Sequence, residues 1–163
     1  MSDPSAVQPG TADLGVIVGA LAGVPGANQG AQGEGNTDMT VLREHLNPYV
    51  LTARPDQTLE QAAQEMVERK VGAAVVLVQG TVVGIVTERD VMRAVARGLV
   101  PWNTSIEEIM TKDPLFATPE TDVHDAITVM LDRGFRHLPV VDDGKLVGIV
   151  SARHLLRITE SST

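Results

Sequence analysis

The sequence predicts an α/β (α+β) fold in which two copies of one unit pack against each other, and three observations carry that expectation. Residues 55–91 realign on residues 119–155 without a gap at an offset of 64, with eleven of 37 positions identical, including Pro55/Pro119, Met66/Met130 and the run Val83-Gly84-Ile85-Val86 on Val147-Gly148-Ile149-Val150. Each copy holds a segment with helical apolar spacing, followed by two apolar runs around a glycine turn. Each copy is also only about 60 residues, a size of marginal stability alone. Two copies are too few for an open solenoid, so a closed pair is expected.

Folding is expected to begin at residue 38. Residues 1–37 read as a flexible, low-complexity tail, with eight glycines between Gly10 and Gly35 and little to form a packed face. Its apolar stretch Leu14 to Val24 reads as part of a disordered arm, as a docking peptide, or as a cap on the protein's own apolar seam. The two copies then span 38–98 and 99–158, and 159–163 are left as a short C-terminal tail.

In chain order, Thr40 to Leu46 is a short helix candidate stopped by Asn47-Pro48, matched by Ser105 to Met110 before Lys112-Asp113-Pro114. Tyr49 to Thr52 and Leu115 to Thr118 read as short strands. Pro55 stands seven positions after Pro48 and Pro119 five positions after Pro114, so the repeat is expected to slip by two positions here. The first long helix of each copy follows. Thr58 with Gln61 and, in the second copy, Asp122 are its caps. Leu59, Ala62, Ala63 and Met66 form one apolar stripe, and Val123, Ala126, Ile127 and Met130 the other. Ala73 to Val78 is nearly all apolar, as in a strand covered on both faces. It turns at Gln79-Gly80 into Thr81 to Val86. Leu138 to Val141 turns at Asp142-Asp143-Gly144 into Lys145 to Val150, and each turn has a Gly where positive φ is cheap. Final helices run from Glu88 to about Ala96 and from Ala152 to about Ile158. Trp102, the one tryptophan, reads as a buried anchor of the linker.

The chemistry is expected where hairpin meets last helix. In Gly84-Ile85-Val86-Thr87-Glu88-Arg89-Asp90 the chain passes from strand to helix N-terminus, where free N–H groups and the helix dipole favour an anion. Thr87 offers a hydroxyl to a phosphate, and Asp90 can accept both hydroxyls of a ribose. Thr-x-x-Asp is equally a variant capping box, and local pattern leaves both readings open. Arg89 and Arg153 are equivalent by repeat, which fits a phosphate role or a symmetric salt bridge. In the second copy, Gly148-Ile149-Val150-Ser151-Ala152-Arg153-His154 keeps the hydroxyl but puts His154 in place of the carboxylate, and an imidazole cannot match a bidentate acceptor.

These doubled motifs resemble the tandem cystathionine-β-synthase-domain (CBS domain) family, also called Bateman modules, over residues 38–158. Residues 84–90 fit the family's closing pattern of Gly-hydrophobic-x-Thr/Ser-x-x-Asp/Asn, and Arg136-His137-Leu138-Pro139-Val140-Val141-Asp142 resembles the strand that opens its second hairpin. The resemblance implies two β-α-β-β-α repeats around a pseudo-twofold axis and a disc-like homodimer. It also implies a stand-alone regulatory, energy-sensing module that binds AMP, ADP or ATP, or S-adenosylmethionine, in the inter-repeat cleft. By resemblance, Asp90 meets the ribose, Thr87 a phosphate, Arg136 and His137 the phosphates, and Thr111 the base. Arg89, Ser151 and Arg153 complete the candidate binding set, and one good nucleoside site per chain is expected. The alternative is a scaffolding homodimer in which Thr87 and Asp90 only cap a helix.

No catalytic set is expected: there is no paired-carboxylate site, serine elbow or phosphate-binding lysine loop, and His45, His124, His137 and His154 lack i, i+4 spacing. Metal binding at Asp142-Asp143 is not expected either. Cysteine is absent, which removes disulfides and thiolate sites. A formal charge of -8 argues against non-specific nucleic-acid binding. No apolar run is long enough for membrane insertion, so the cytoplasm is the expected compartment, with a regulated enzyme or transporter as partner.

Overall fold

The structure, a computed structural model, describes residues 40–161; the tail expected over residues 1–37 lies outside them. Two hairpins dominate: β2 (Ala73–Val78) with β3 (Thr81–Thr87), and β5 (His137–Asp142) with β6 (Lys145–Ser151). Both turn through two residues of positive φ, Gln79 (50°) with Gly80 (83°) and Asp143 (46°) with Gly144 (75°), which matches the strand twist. Both also shift register at equivalent points, Val76/Leu77 and Val140/Val141. Helices α1 (Leu59–Arg69) and α4 (Val123–Arg133) precede the hairpins, and α2 (Glu88–Ala96) and α5 (Ala152–Ser161) follow them. Thr58 and Gln61 form the expected capping box, and Asp122 accepts from His124 and Asp125 backbone N–H groups. The stripe residues Leu59, Ala62 and Met66, like Val123, Ala126, Ile127 and Met130, are buried; Ala63 is only partly so.

The lead-in segments are exchanged between the repeats. β4 (Thr111–Lys112) pairs antiparallel with β3 of the first repeat (Gly84↔Lys112, Ile85↔Thr111), while Asn47 bridges Ile149 of the second. Leu42 N–H reaches the Thr121 carbonyl at 2.9 Å, and Ile106 N–H reaches the Gln57 carbonyl at 2.8 Å. Leu42 is therefore buried among Ala126, Met130, Leu138 and Leu155, and Ile106 among Ala62, Met66, Val76 and Val86. Both are fully buried, so each core is closed by the other repeat's lead-in.

Every one of these partners keeps the offset of 64, which corrects the expected slip of two. The strand β1 (Thr52–Ala53) runs parallel to β2 with Ala53 opposite Val76, and Ala117 stands opposite Val140 in the same way. Pro48 and Pro114 are simply not equivalent positions. The expected strands at 49–52 and 115–118 contract to β1 and a single bridge. The first helix candidate is a 3-10 turn (Leu42–Glu44), and the second is the short α3 (Ile106–Ile109). Trp102 is 68% exposed on a 3-10 turn (Pro101–Asn103), not buried.

The motif glycines serve this exchange. A Cβ on Gly148 would stand 3.0 Å from the Asn47 carbonyl oxygen and also meet Leu46, and one on Gly84 would stand 3.2 Å from the Thr111 carbonyl oxygen. Gly148→Ala should cost about 1–3 kcal/mol by overpacking. Urea unfolding checks this, and an unchanged midpoint would contradict the tight approach.

Candidate functional site

Strand β3 becomes helix α2 without a loop, so Thr87 ends one and caps the other. Asp90, in the first turn, folds back: its Oδ2 accepts the Thr87 N–H at 2.9 Å and the Thr87 hydroxyl at 2.8 Å. The capping reading is thus realised in the geometry. An ionised carboxylate can only accept, so the Thr87 proton is engaged and the hydroxyl's free capacity is as an acceptor. Asp90 Oδ1 lies 3.6 Å from Arg93 Nη1, in a side chain only 12% exposed.

A cavity of about 470 Å³ opens beside this helix end. Thr87, Arg89, Asp90, Thr111, Arg136 and His137, six of the eight predicted binding residues, line it. The lead-in strand brings Thr111 across β3, and the start of β5 brings Arg136 and His137 from the other repeat. Ser151 and Arg153 are not in this cavity; they line an adjoining groove that also touches Arg89, Arg136 and His137. The prediction missed Arg93, Asp113, Leu115, Arg133 and Phe135. The repeat gave a signal for some of these, because Asp113 and Leu115 stand two and four residues after Thr111 on the same lead-in. Four arginines (Arg89, Arg93, Arg133 and Arg136) and three acids (Glu88, Asp90 and Asp113) thus line one space together with the apolar Ile85, Leu115 and Phe135.

Arg89 reaches across the repeats: its Nη1 donates to the Gly134 carbonyl at 3.2 Å, at the C-cap of α4. A cation at a helix C-terminus is favoured by the dipole. Its head is therefore held by backbone in this structure, which is neither of the two roles weighed from sequence.

The second cleft is the pseudo-twofold counterpart, with a volume of about 460 Å³. At the positions of Arg136 and His137 this cleft has Gly72 and Ala73, so of the first cleft's basic pair only His137, reaching from the other side, borders it. Ser151 Oγ accepts the His154 backbone N–H at 3.3 Å, so the helix is still capped.

His137 lines both clefts. Burial pushes its pKa below the ordinary 6.5, opposed by Glu88 and assisted by Arg136. The unfolded chain then takes up this proton more readily than the folded one. This group's contribution to stability should be complete above about pH 6.5 and be lost as pH falls toward the folded value. The effect is small, because the ring is partly solvated. Urea midpoints followed from pH 8 to 5 check it: His137→Gln should flatten part of the slope, and an identical slope would contradict it.

The family model of the CBS domain matches residues 42–97 and 106–161. An uncharacterized 17.7 kDa protein of Acidianus ambivalens is 44% identical over 120 residues, covering 72% of each chain. The CBS domain-containing protein CBSCBSPB5 of Arabidopsis thaliana is 34% identical over 133 residues, covering 74% of this chain but 24% of that longer protein. Among solved structures, the CBS domain pair of protein MJ0100, in complex with 5-methylthioadenosine and S-adenosyl-L-methionine, superposes with a TM-score of 0.71 at 26% identity, covering 77% of this chain and 99% of that one. Among the described residues no helix is long and apolar enough to cross a membrane. With two matched repeats, their exchanged lead-ins and the paired clefts, this chain belongs to the CBS domain family as a tandem pair.

Proposed function

We propose that this CBS pair is a regulatory module that binds an adenine nucleotide (AMP, ADP or ATP) or another adenosyl ligand in the first cleft and signals to a partner enzyme or transporter. The observation that carries this reading is the cavity of about 470 Å³ lined by Asp90, four arginines and the apolar Ile85, Leu115 and Phe135. That volume lies within the usual range for small-molecule sites, about 300–1,000 Å³. Asp90 Oδ1 is the acceptor toward a ribose, Arg136 and His137 are the groups toward phosphate, and Thr111 lies where the base would enter. Thr87 serves mainly by fixing Asp90. Energy sensing would follow from different affinities for the two states of the module, since a ligand shifts an equilibrium only by that difference. That one similar structure holds adenosyl ligands supports the class of ligand.

The pair is also proposed to work as a homodimer. Val67 and Leu131, and likewise Met92 and Leu156, are repeat equivalents on the outer helices, and all four are exposed. The resulting apolar face has the pseudo-twofold symmetry that a second copy would match. Val67→Asp with Leu131→Asp should yield monomers in sedimentation equilibrium at micromolar protein; an unchanged mass would remove this face from the interface.

The scaffolding alternative has one observation in its favour, the closed Thr87/Asp90 capping box. Thermal-shift and calorimetric titration with AMP, ADP, ATP and S-adenosylmethionine separate the two. Binding at 100 times Kd should stabilise the fold by about 2.7 kcal/mol. No heat and no shift with any of the four at millimolar concentration would leave only the scaffold.

A further inference from the structure

The groove that holds Ser151 and Arg153 is a different kind of space from the two clefts. Its volume is about 1200 Å³, above the usual range for small-molecule sites, about 300–1,000 Å³. Equivalent residues of both repeats line it, such as Met66 with Met130 and Val67 with Leu131, so it straddles the pseudo-twofold axis. Val67, Leu131 and Leu156 are exposed along it. Its charged lining residues are five bases, among them Lys70 and Arg153, against two acids, Glu88 and Glu160. An apolar groove with a positive balance therefore lies on a chain whose formal charge is -8.

A second copy does not fill this space. Across a twofold axis it presents the same face, so groove meets groove and neither supplies a ridge for the other. A segment of the chain itself matches both the apolar and the charged character. Residues 14–24 are uncharged and mostly apolar, and Asp13 stands directly before them. Residues 1–39 as a whole carry four acids and no Lys or Arg, the complement of the bases in the groove.

The connection is long enough. The Thr40 carbonyl accepts the Val123 N–H at 2.9 Å, which ties the start of the described chain to the first turn of α4. Leu131, on the groove, lies about 12 Å further along that helix at 1.5 Å rise per residue. Residues 25–39 join the apolar segment to Thr40 and contain four glycines. A Gly-rich connection of this length has a root-mean-square span of about 20 Å. It holds the segment near the groove at about millimolar effective concentration.

We propose that residues 14–24 dock in this groove of the same chain, with apolar side chains on Val67, Leu131 and Leu156 and Asp13 toward the bases. Of the three readings that the sequence left open for this stretch, the groove selects the cap on the protein's own apolar seam. Docking removes apolar surface of both partners from water. It requires neither a bound nucleotide nor the homodimer, although it lies within the face assigned to the latter.

The chain has no cysteine, so Ala22→Cys gives a unique attachment point for a nitroxide spin label on the full chain. In amide NMR spectra of the isotopically enriched, labelled chain, Lys70, Gly134 and Leu156 should lose most of their signal intensity. The hairpin turns at Gly80 and Gly144 should keep theirs. Adding Ile17→Asp with Leu21→Asp, both outside the described residues, should restore the lost signals, and unchanged amide shifts elsewhere show that the fold is kept. Mixing spin-labelled chains without isotope into enriched chains without spin label separates the occupants. Full intensity in that mixture supports docking within one chain. Broadening there gives the groove to the tail of a second copy and overturns the proposal. Groove signals that keep their intensity in the labelled chain, or broadening that survives both aspartates, overturn it as well. The homodimer fails by a separate result, the unchanged sedimentation mass of the Val67→Asp, Leu131→Asp chain.

Discussion

Asp90→Ala should weaken ribonucleotide binding by about 1.5–3 kcal/mol, roughly 10- to 150-fold, the scale of a lost hydrogen bond to a charged group. The carboxylate is mostly buried at 12% exposure, with one oxygen engaged by Thr87 and the other toward Arg93 and the cavity. That second oxygen is the only part of the group with capacity for a sugar. The substitution also opens the capping box, at about 0.5–2 kcal/mol of stability, so a loss of stability alone decides nothing. The deciding quantity is the ratio of affinities for AMP and its 2′-deoxy form. The wild type should prefer the ribose, and Asp90→Ala should bring that preference close to unity in the first cleft. A wild type that binds both forms equally would remove Asp90 from sugar recognition, whatever the melting temperature does.

Leu42→Ala and Ile106→Ala should each destabilise the fold by about 2–5 kcal/mol, the range for truncating a fully buried aliphatic side chain. That is a large part of the total stability of a domain, about 5–15 kcal/mol. The unusual expectation is where the damage falls. Leu42 belongs to the first repeat along the chain but packs in the core of the second, and Ile106 of the second repeat packs in the core of the first. Amide hydrogen exchange should therefore lose protection first in β5, β6 and α4 for Leu42→Ala, and in β2, β3 and α1 for Ile106→Ala. Loss in the neighbouring repeat along the chain, or a cost under about 1 kcal/mol, would contradict the exchange of lead-ins.

That exchange also shows how much could be read from sequence and why the rest could not. Long elements with strong periodicity were legible: the stripes of α1 and α4, the two glycine turns and the caps at Thr58 and Asp122 all sit as expected. The lead-ins were not, because Pro48 and Pro114 looked like equivalent marks. A segment that contributes only one or two ladder pairs, such as β4 or the bridge at Asn47, is tied to its sheet at few positions. Proline then falls on either side without breaking the pairing. The glycine of each motif admits a close backbone approach, and the approaching backbone is the other repeat's lead-in. Trp102 was misread because a 3-10 turn presents a side chain to core or solvent according to what packs above it, and the apolar character of the residue does not say which.

Sequence by itself determined the duplication, the type and order of the main elements and the chemistry available at Thr87, Asp90, Ser151 and His154. These rest on local rules: the apolar period, the φ that a turn requires and the donors and acceptors a residue carries. Only the tertiary structure decided which repeat each lead-in completes, that Thr111 lines the same cavity as Asp90 while Ser151 and Arg153 line a different space, and that Arg89 holds a helix end. Those outcomes depend on contacts between residues distant in the chain, such as Ile85 with Thr111, Arg89 with Gly134 and Asn47 with Ile149. Burial selects among such contacts by fit, and a linear pattern of residue types does not encode fit directly.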